Sequence, residues 1–359
     1  MGNFNVISFL TQLVEKKVSD IHLHVGEPPI CRKDGIILKT NLPEISLENM
    51  QDIVTTLKPA HVNLEGASNL DFLFEIPEVS RFRVNYALSL QKPMFVLRVI
   101  PYDIPSFEDM NISQNIKLFS DYASGIVFIT GPTGCGKSTT LACLLDYVNQ
   151  SKNRHIVTIE DPIEYLYKNE KSIFSQRQVG VDTPDYASGV KYSLRQDPDI
   201  ILVGEIRDRA TASEALKAAD TGHLVFATLH TTDAVQTVMR IINLFEPYER
   251  PYIKQQLADN LVGTVAQKLI RKADKTGRVP AFEILVATST IKDYILKDNL
   301  EEIYEMIKVG KFNDMITMNM YLHDLVKNKI ITSEAALLAS ENKLELQQML
   351  KGAFHGARI

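Results

Sequence analysis

Gly131, Pro132, Thr133, Gly134, Cys135 and Gly136 run directly into Lys137, Ser138 and Thr139. Glycines at this spacing let backbone N–H groups converge on one anion without a Cβ in the way. The lysine and hydroxyl behind them supply a positive charge and a ligand for a hard cation. Such a set is a phosphate-binding loop, in which Lys137 reaches the β- and γ-phosphates and Ser138 takes Mg²⁺. The motif requires a strand before it and a helix after it, and the apolar run Ile126–Thr130 meets the first requirement. The helix from Lys137 places its partially positive end at the phosphates. The predicted chemistry is ATP hydrolysis.

Other residues suit the same chemistry. Glu205 follows the apolar run Ile200–Val203, where a Walker B strand would end in Asp. It is either a surface acid or an Mg²⁺ ligand, and ligands of open parallel sheets bind at strand C-termini. Glu160-Asp-Pro-Ile-Glu164 sets three acids in five residues at another strand end. One of them orients or deprotonates the attacking water, or all three decorate a helix N-terminus. His223 and His230 bracket Leu224–Leu229; a histidine there either bonds the γ-phosphate or is a satisfied polar residue. Arg81 and Arg83 share one strand face, as phosphate-binding guanidinium forks or as a solvated surface. His22 and His24 also share a face, but no third metal ligand is evident.

The elements that must position these groups form two blocks. Val6, Leu10, Leu13 and Val14 make a helical stripe, and Ile21 to Val25 alternates as a strand. The turn Lys33-Asp34-Gly35 leads into a hairpin partner at Ile36–Leu38, and Phe82–Tyr86 and Met94–Val99 alternate again. Residues 1–100 therefore read as a small α+β domain, and 101–115, with Pro101 and Pro105, as a linker. From 116 to 359, uninterrupted apolar strands at Ile126–Thr130, Ile156–Ile159, Ile200–Val203 and Leu224–Thr228 alternate with helices. That pattern predicts an α/β fold with a parallel sheet buried on both faces. From about Asp233 onward the pattern reads as mostly helical, with Met315, Met318, Leu322, Leu325 and Val326 as a core stripe.

Composition sets the remaining limits. The 359 residues suit two domains, and 45% apolar and 23% charged residues suit a globular core. A net charge of −5 gives no general attraction to nucleic acid or anionic lipid. Cys31, Cys135 and Cys143 form no CxxC pair, which argues against a disulfide framework or zinc ribbon and for a reducing compartment. The first residues lack a signal-peptide pattern, and no apolar run reaches the roughly 18 residues of a membrane span. A cytoplasmic protein is expected, with any membrane role supplied by a partner.

Several blocks occur in a fixed order. They are Ser19-Asp-Ile-His-Leu-His24 with Pro28-Pro29, Phe74 to Pro77 with Ser80-Arg-Phe-Arg-Val-Asn85, and the phosphate loop. Thr158 to Tyr165, Gln176 to Gly180, Leu194 to Asp208, Thr221 to Thr231, and Gly277-Arg278 with Phe282-Glu-Ile-Leu285 follow. Together they resemble the secretion-type ATPases of type II and type IV systems, most closely the retraction ATPases of type IV pili. The resemblance implies a PAS-like N-terminal domain before a RecA-like P-loop ATPase domain that ends in helices, assembled as a homohexameric ring. It implies ATP and Mg²⁺ as cofactors, and nucleotide between the two domains with Arg81 and Arg83 near the phosphates. It assigns Glu164 or Glu160 to the catalytic water, Glu205 to Mg²⁺, His230 to the γ-phosphate region, and residues Gly131 to Thr139 with Arg278 to nucleotide. The implied partner is an inner-membrane pilus platform protein, which would hold the chain at the inner face of the cytoplasmic membrane without insertion.

Where retraction ATPases read Ala-Ile-Arg-Asn-Leu-Ile-Arg-Glu-Gly-Lys, this chain has Thr290-Ile-Lys-Asp-Tyr-Ile-Leu-Lys-Asp-Asn299. An accessory role beside a second retraction ATPase therefore stays open, as does a non-motor nucleotide-binding regulator of the pilus base. The N-terminal extension and four-cysteine zinc insert of assembly ATPases are not seen, so retraction is expected over extension. A nucleic-acid translocase fits the acidic balance poorly.

Overall fold

Strict alternation of apolar residues builds the N-terminal unit. In the computed structural model, which describes residues 4–33, 35–59, 64, 66–100 and 103–352, the chain divides into Met1–Ile104 with Glu164–Leu166, and Pro105–Ile163 with Tyr167–Ile359. Asp34 of the expected turn and Pro101 and Tyr102 of the expected linker lie outside the described residues.

The first unit comprises α1 (Val6–Glu15), β1 (Asp20–His24), β2 (Ile30–Lys33), β3 (Ile36–Lys39), α2 (Leu47–Leu57), β4 (Asn69–Ile76), β5 (Ser80–Ser89) and β6 (Lys92–Ile100). Its strands form one antiparallel sheet in the order β3-β2-β1-β6-β5-β4. Ile21, Leu23, Phe82, Val84, Phe95 and Leu97 point from alternate positions into a core shared with Leu10 of α1 and Ile53 of α2. Asn5 and Ser46 cap the two helices through side-chain oxygens.

The second unit runs β7 (Gly125–Thr130), α3 (Lys137–Ser151), β8 (His155–Glu160), β9 (Ile173–Gln178), α4 (Tyr186–Ser193), β10 (Ile200–Val203), α5 (Arg209–Asp220) and β11 (Leu224–Leu229). It continues with α6 (Ala234–Asn243), α7 (Arg250–Asn260), β12 (Leu261–Arg271), β13 (Arg278–Val286), α8 (Ser289–Lys297), α9 (Glu302–Val309), α10 (Met318–Lys327), α11 (Ser333–Ala339) and α12 (Lys343–Leu350). The sheet order is β13-β12-β7-β11-β10-β8-β9. All neighbours are parallel except β12 and β13. One face packs Ile201, Val203, Val225 and Ala227 against α5 and α6, and the other packs Val127, Ile129 and Phe226 against α3.

Three features depart from the sequence pattern. β12 and β13 are strands where the pattern from Asp233 onward reads as helical. The β12 run Leu261-Val-Gly-Thr-Val-Ala is uniformly buried and mostly apolar, and periodicity cannot separate a strand buried on both faces from a buried helix. β9 is an edge strand whose two apolar residues, Ile173 and Phe174, are followed only by half-buried polar ones, so it carries neither period. Phe107 and Ile112, inside the segment read as a linker, are buried in the second unit's core. The methionine stripe is core, as read: Met315 packs under the sheet, and Met318, Leu322 and Leu325 pack against Ile270 and Val279.

The divergent block 290–299 forms α8, with Ile291 and Ile295 fully buried. Its C-cap, Asp298, takes the left-handed conformation at φ 63 and lies 2.8 Å from Lys254 Nζ. Lys292 donates to the Asp259 carbonyl across 3.1 Å.

Candidate active site

β7 delivers the chain into a tight loop, where Gly131, Gly134 and Gly136 stand at φ 142, 76 and 92. At Gly131 a Cβ would meet the Gln267 carbonyl oxygen at 2.3 Å and Cys135 Sγ at 2.7 Å, so only glycine lets these strands approach. α3 begins on Gly136, which has no side chain to cap the first turn. By contrast, Asp185, Asp208 and Asp233 cap α4, α5 and α6 by accepting from Ser188, Thr211 and Gln236 amides. The α3 terminus is thus built to receive an external anion. Lys137 folds over the loop, its Nζ donating to Gly131 O at 2.7 Å and Pro132 O at 3.3 Å.

Gln267 fastens the loop from beneath. Its Nε2 donates to Cys135 O at 2.7 Å, and its Oε1 accepts from Thr140 Oγ1 at 2.8 Å. Gln267 is buried on β12, so one amide satisfies loop and helix together. Burial pushes the Cys135 thiol above its ordinary pKa, which keeps it protonated and unreactive.

The acids stand at the same sheet edge. Glu205 Oε1 lies 2.9 Å from His230 Nε2, and its Oε2 accepts from Arg207 Nε at 2.7 Å. Thr228 Oγ1 donates to the Gly204 carbonyl, and the Ile206 amide donates to Thr228 O at 2.9 Å, which locks the ends of β10 and β11 together. Glu160 closes β8 and accepts from Thr158 Oγ1 at 2.7 Å and Gln176 Nε2 at 3.4 Å. Tyr186 lies in this corner; its pKa is raised first by burial and then by Asp161, so it stays a neutral hydroxyl.

Sheet order therefore puts four predicted groups on consecutive strands: the loop after β7, His230 after β11, Glu205 after β10 and Glu160 at the end of β8. Glu205 lies two strands from the loop, roughly 10 Å by strand spacing. A phosphate chain with a hard cation spans such a gap. Ser138 and Glu205 offer oxygen ligands that fit Mg²⁺, which takes few protein ligands when phosphates supply the rest. Among the described residues no group of three or more His, Cys, Asp or Glu could hold a metal ion by itself.

Other predicted residues fall elsewhere. His223 precedes β11 and bonds Ala218 O at 3.0 Å, the satisfied-polar alternative. Arg278 opens β13 opposite Arg271, at the turn end of the β12–β13 hairpin. Arg81, Arg83 and Glu164 belong to the first unit. Arg81 is buried there and donates from Nη1 to the Glu164 carbonyl at 3.1 Å, and Arg83 is half-buried. Gln267 and Tyr186 were not anticipated. The only signal for Gln267 is a polar residue inside an apolar run, and Tyr186 offers none.

Residues 5–307 match the family described as Type II/IV secretion system protein. The chain is 39% identical over 334 residues to Pseudomonas aeruginosa PilT, named as a type IV pilus retraction ATPase, covering 92% of this chain and 97% of that one. It is 34% identical over 344 residues to the type IV pilus ATPase PilU of the same organism, covering 95% and 90%. A crystal structure of the pilus retraction motor PilT with bound ADP superposes with a TM-score of 0.87 at 38% identity, over 96% of this chain and 100% of that one.

Proposed function

This chain belongs to the Type II/IV secretion system protein family, and from that premise we propose that it is the motor that retracts type IV pili. It is an ATPase with an α/β fold. The carrying observation is similarity to a retraction ATPase across nearly the whole of both chains, at 92% and 97% coverage. The identity to PilU is lower, 34% against 39%. That difference supports the retraction motor over the accessory role.

In the proposed reaction a water oxygen attacks the γ-phosphorus of ATP, the bond to the β-phosphate oxygen breaks, and ADP and phosphate leave. The amides around Gly134 and Gly136, with Lys137, hold the β- and γ-phosphates. Pro132, Thr133 and Cys135 shape the loop, and Thr139 and Arg278 add contacts to nucleotide. Ser138 and Glu205 hold Mg²⁺, which when bound neutralises charge on the phosphate oxygens. Glu164 or Glu160 orients the water. His230 meets the γ-phosphate, and Arg81 and Arg83 supply guanidinium charge as the transition state forms.

For domain organisation, we propose a PAS-like N-terminal domain, a connecting segment and a RecA-like domain ending in helices. The subunits close into a homohexameric ring, since a repeated head-to-tail contact either closes or grows a filament. The ring acts from the cytoplasmic side of the inner membrane on a pilus platform protein. No helix among the described residues is long and apolar enough to cross a membrane, so attachment through such a partner is consistent. A deletion strain should carry excess surface pili and show no twitching, and this gene alone should restore movement. Fewer pili would point to extension, and rescue only beside a second ATPase would point to the accessory role.

A further inference from the structure

Glu283 is a buried acid on β13, and the reaction as proposed does not use it. Its Oε1 accepts from the Ala234 amide at 2.9 Å and its Oε2 from the Met318 amide at 3.4 Å. These are the first residues of α6 and α10, so one carboxylate receives the positive ends of two helices. The register places Glu283 in the row Glu283–Ala266–Thr130–Leu229, which ends one residue before the loop on one strand and before His230 on another. Between His230 and Ala234 the segment is short and tied down. Thr231 Oγ1 bonds Thr237 Oγ1 at 2.7 Å, and Asp233 caps α6. On the other side, Ile284 and Ile316 exchange backbone bonds of 2.9 and 3.1 Å, which fixes the approach to α10.

We infer that Glu283 is a positioning residue for hydrolysis, holding the His230 segment on one oxygen and the C-terminal helices on the other. The inference rests on the proposed role of His230. Burial raises the Glu283 pKa to about 7, the cost of keeping this charge away from water. A neutral glutamine at the same place keeps the shape and loses the strong double acceptor.

The test is a double-mutant cycle of Glu283→Gln and His230→Ala in the full chain, read as phosphate release per folded protein. Glu283→Gln should lower kcat by about 10-fold or more, with KM for ATP nearly unchanged. Added to His230→Ala it should cause no further loss, because both act through one group. Losses that multiply would overturn the inference, as would parental kcat in folded Glu283→Gln. Parental kcat in His230→Ala would overturn the His230 role, and this inference with it. Should Glu283→Gln fail to fold, Glu283→Asp replaces it in the cycle, keeping the charge and shortening its reach to both amides. Parental kcat in that variant would equally overturn the inference.

Discussion

The Glu205 carboxylate lies 2.9 Å from His230 Nε2, and this contact joins the end of β10 to the next strand of the sheet, β11. The second Glu205 oxygen accepts from Arg207, so the acid is held between two side chains at the C-terminal edge of the sheet. A carboxylate so fixed would meet an ion without reorienting during turnover, as the proposed Mg²⁺ role requires.

Glu205→Gln should therefore lower kcat by roughly 10²–10³ while ATP affinity changes little, since the lost charge acts mainly on the transition state. Phosphate release and fluorescent-nucleotide titration separate the two effects. Parental turnover would remove Glu205 from the reaction.

Glu160→Gln and Glu164→Gln assign the water-orienting acid. Glu160 stands with Glu205 and His230 in the second unit, whereas Glu164 groups with Arg81 in the first. The variant of the catalytic acid should lose about 10²-fold or more in kcat at saturating ATP, and the other should stay close to parent. Equal and small losses in both would exclude the whole acidic segment from catalysis.

Gln267→Leu should destabilise the protein by about 2–4 kcal/mol, because the Cys135 carbonyl and Thr140 hydroxyl both lose a buried partner. It should also weaken nucleotide binding, since the loop loses its support from β12. Urea unfolding and ATP titration check the two parts, and unchanged values in both would show that the bridge is dispensable.

Glu283 gives a pH signature. Its pKa is raised by burial from 4.5 to about 7, with Asp233 also raising it and the Ala234 and Met318 amides and Lys268 lowering it. Between those values the folded protein holds a proton that the unfolded chain has released. The contribution of this acid to stability is thus greatest below about pH 4.5 and falls until about pH 7. The loss amounts to about 3 kcal/mol at most. Unfolding free energies of the parent should fall more steeply than those of Glu283→Gln across pH 5 to 7.5, by up to roughly 1.4 kcal/mol per pH unit. Parallel profiles would show that the carboxyl titrates normally.

The phosphate loop was legible because its chemistry is local: glycine spacing sets the backbone, and the flanking pattern sets strand and helix. Glu205 and His230 stand out as candidates because apolar runs end abruptly before them. Gln267 was not, since it lies 132 positions from the carbonyl it bonds, and pairing at that range leaves no periodic trace. β12 and β13 escape the sequence pattern for a different reason. Burial on both faces removes the alternation by which a strand declares itself. The branching of Arg81 and Glu164 into one unit, and Glu160 into the other, likewise depends on how the chain returns after β8.

Asp298 closes α8 in a conformation that favours glycine. The left-handed turn that closes α8 is open to glycine at no steric cost, whereas most other residues lose about 1–2 kcal/mol there. Aspartate tolerates the turn, and its carboxylate adds a tether to Lys254 that glycine cannot make. At this helix end an ion pair offsets part of the cost of a torsion angle, so the turn at Asp298 should loosen with added salt, as a glycine turn would not.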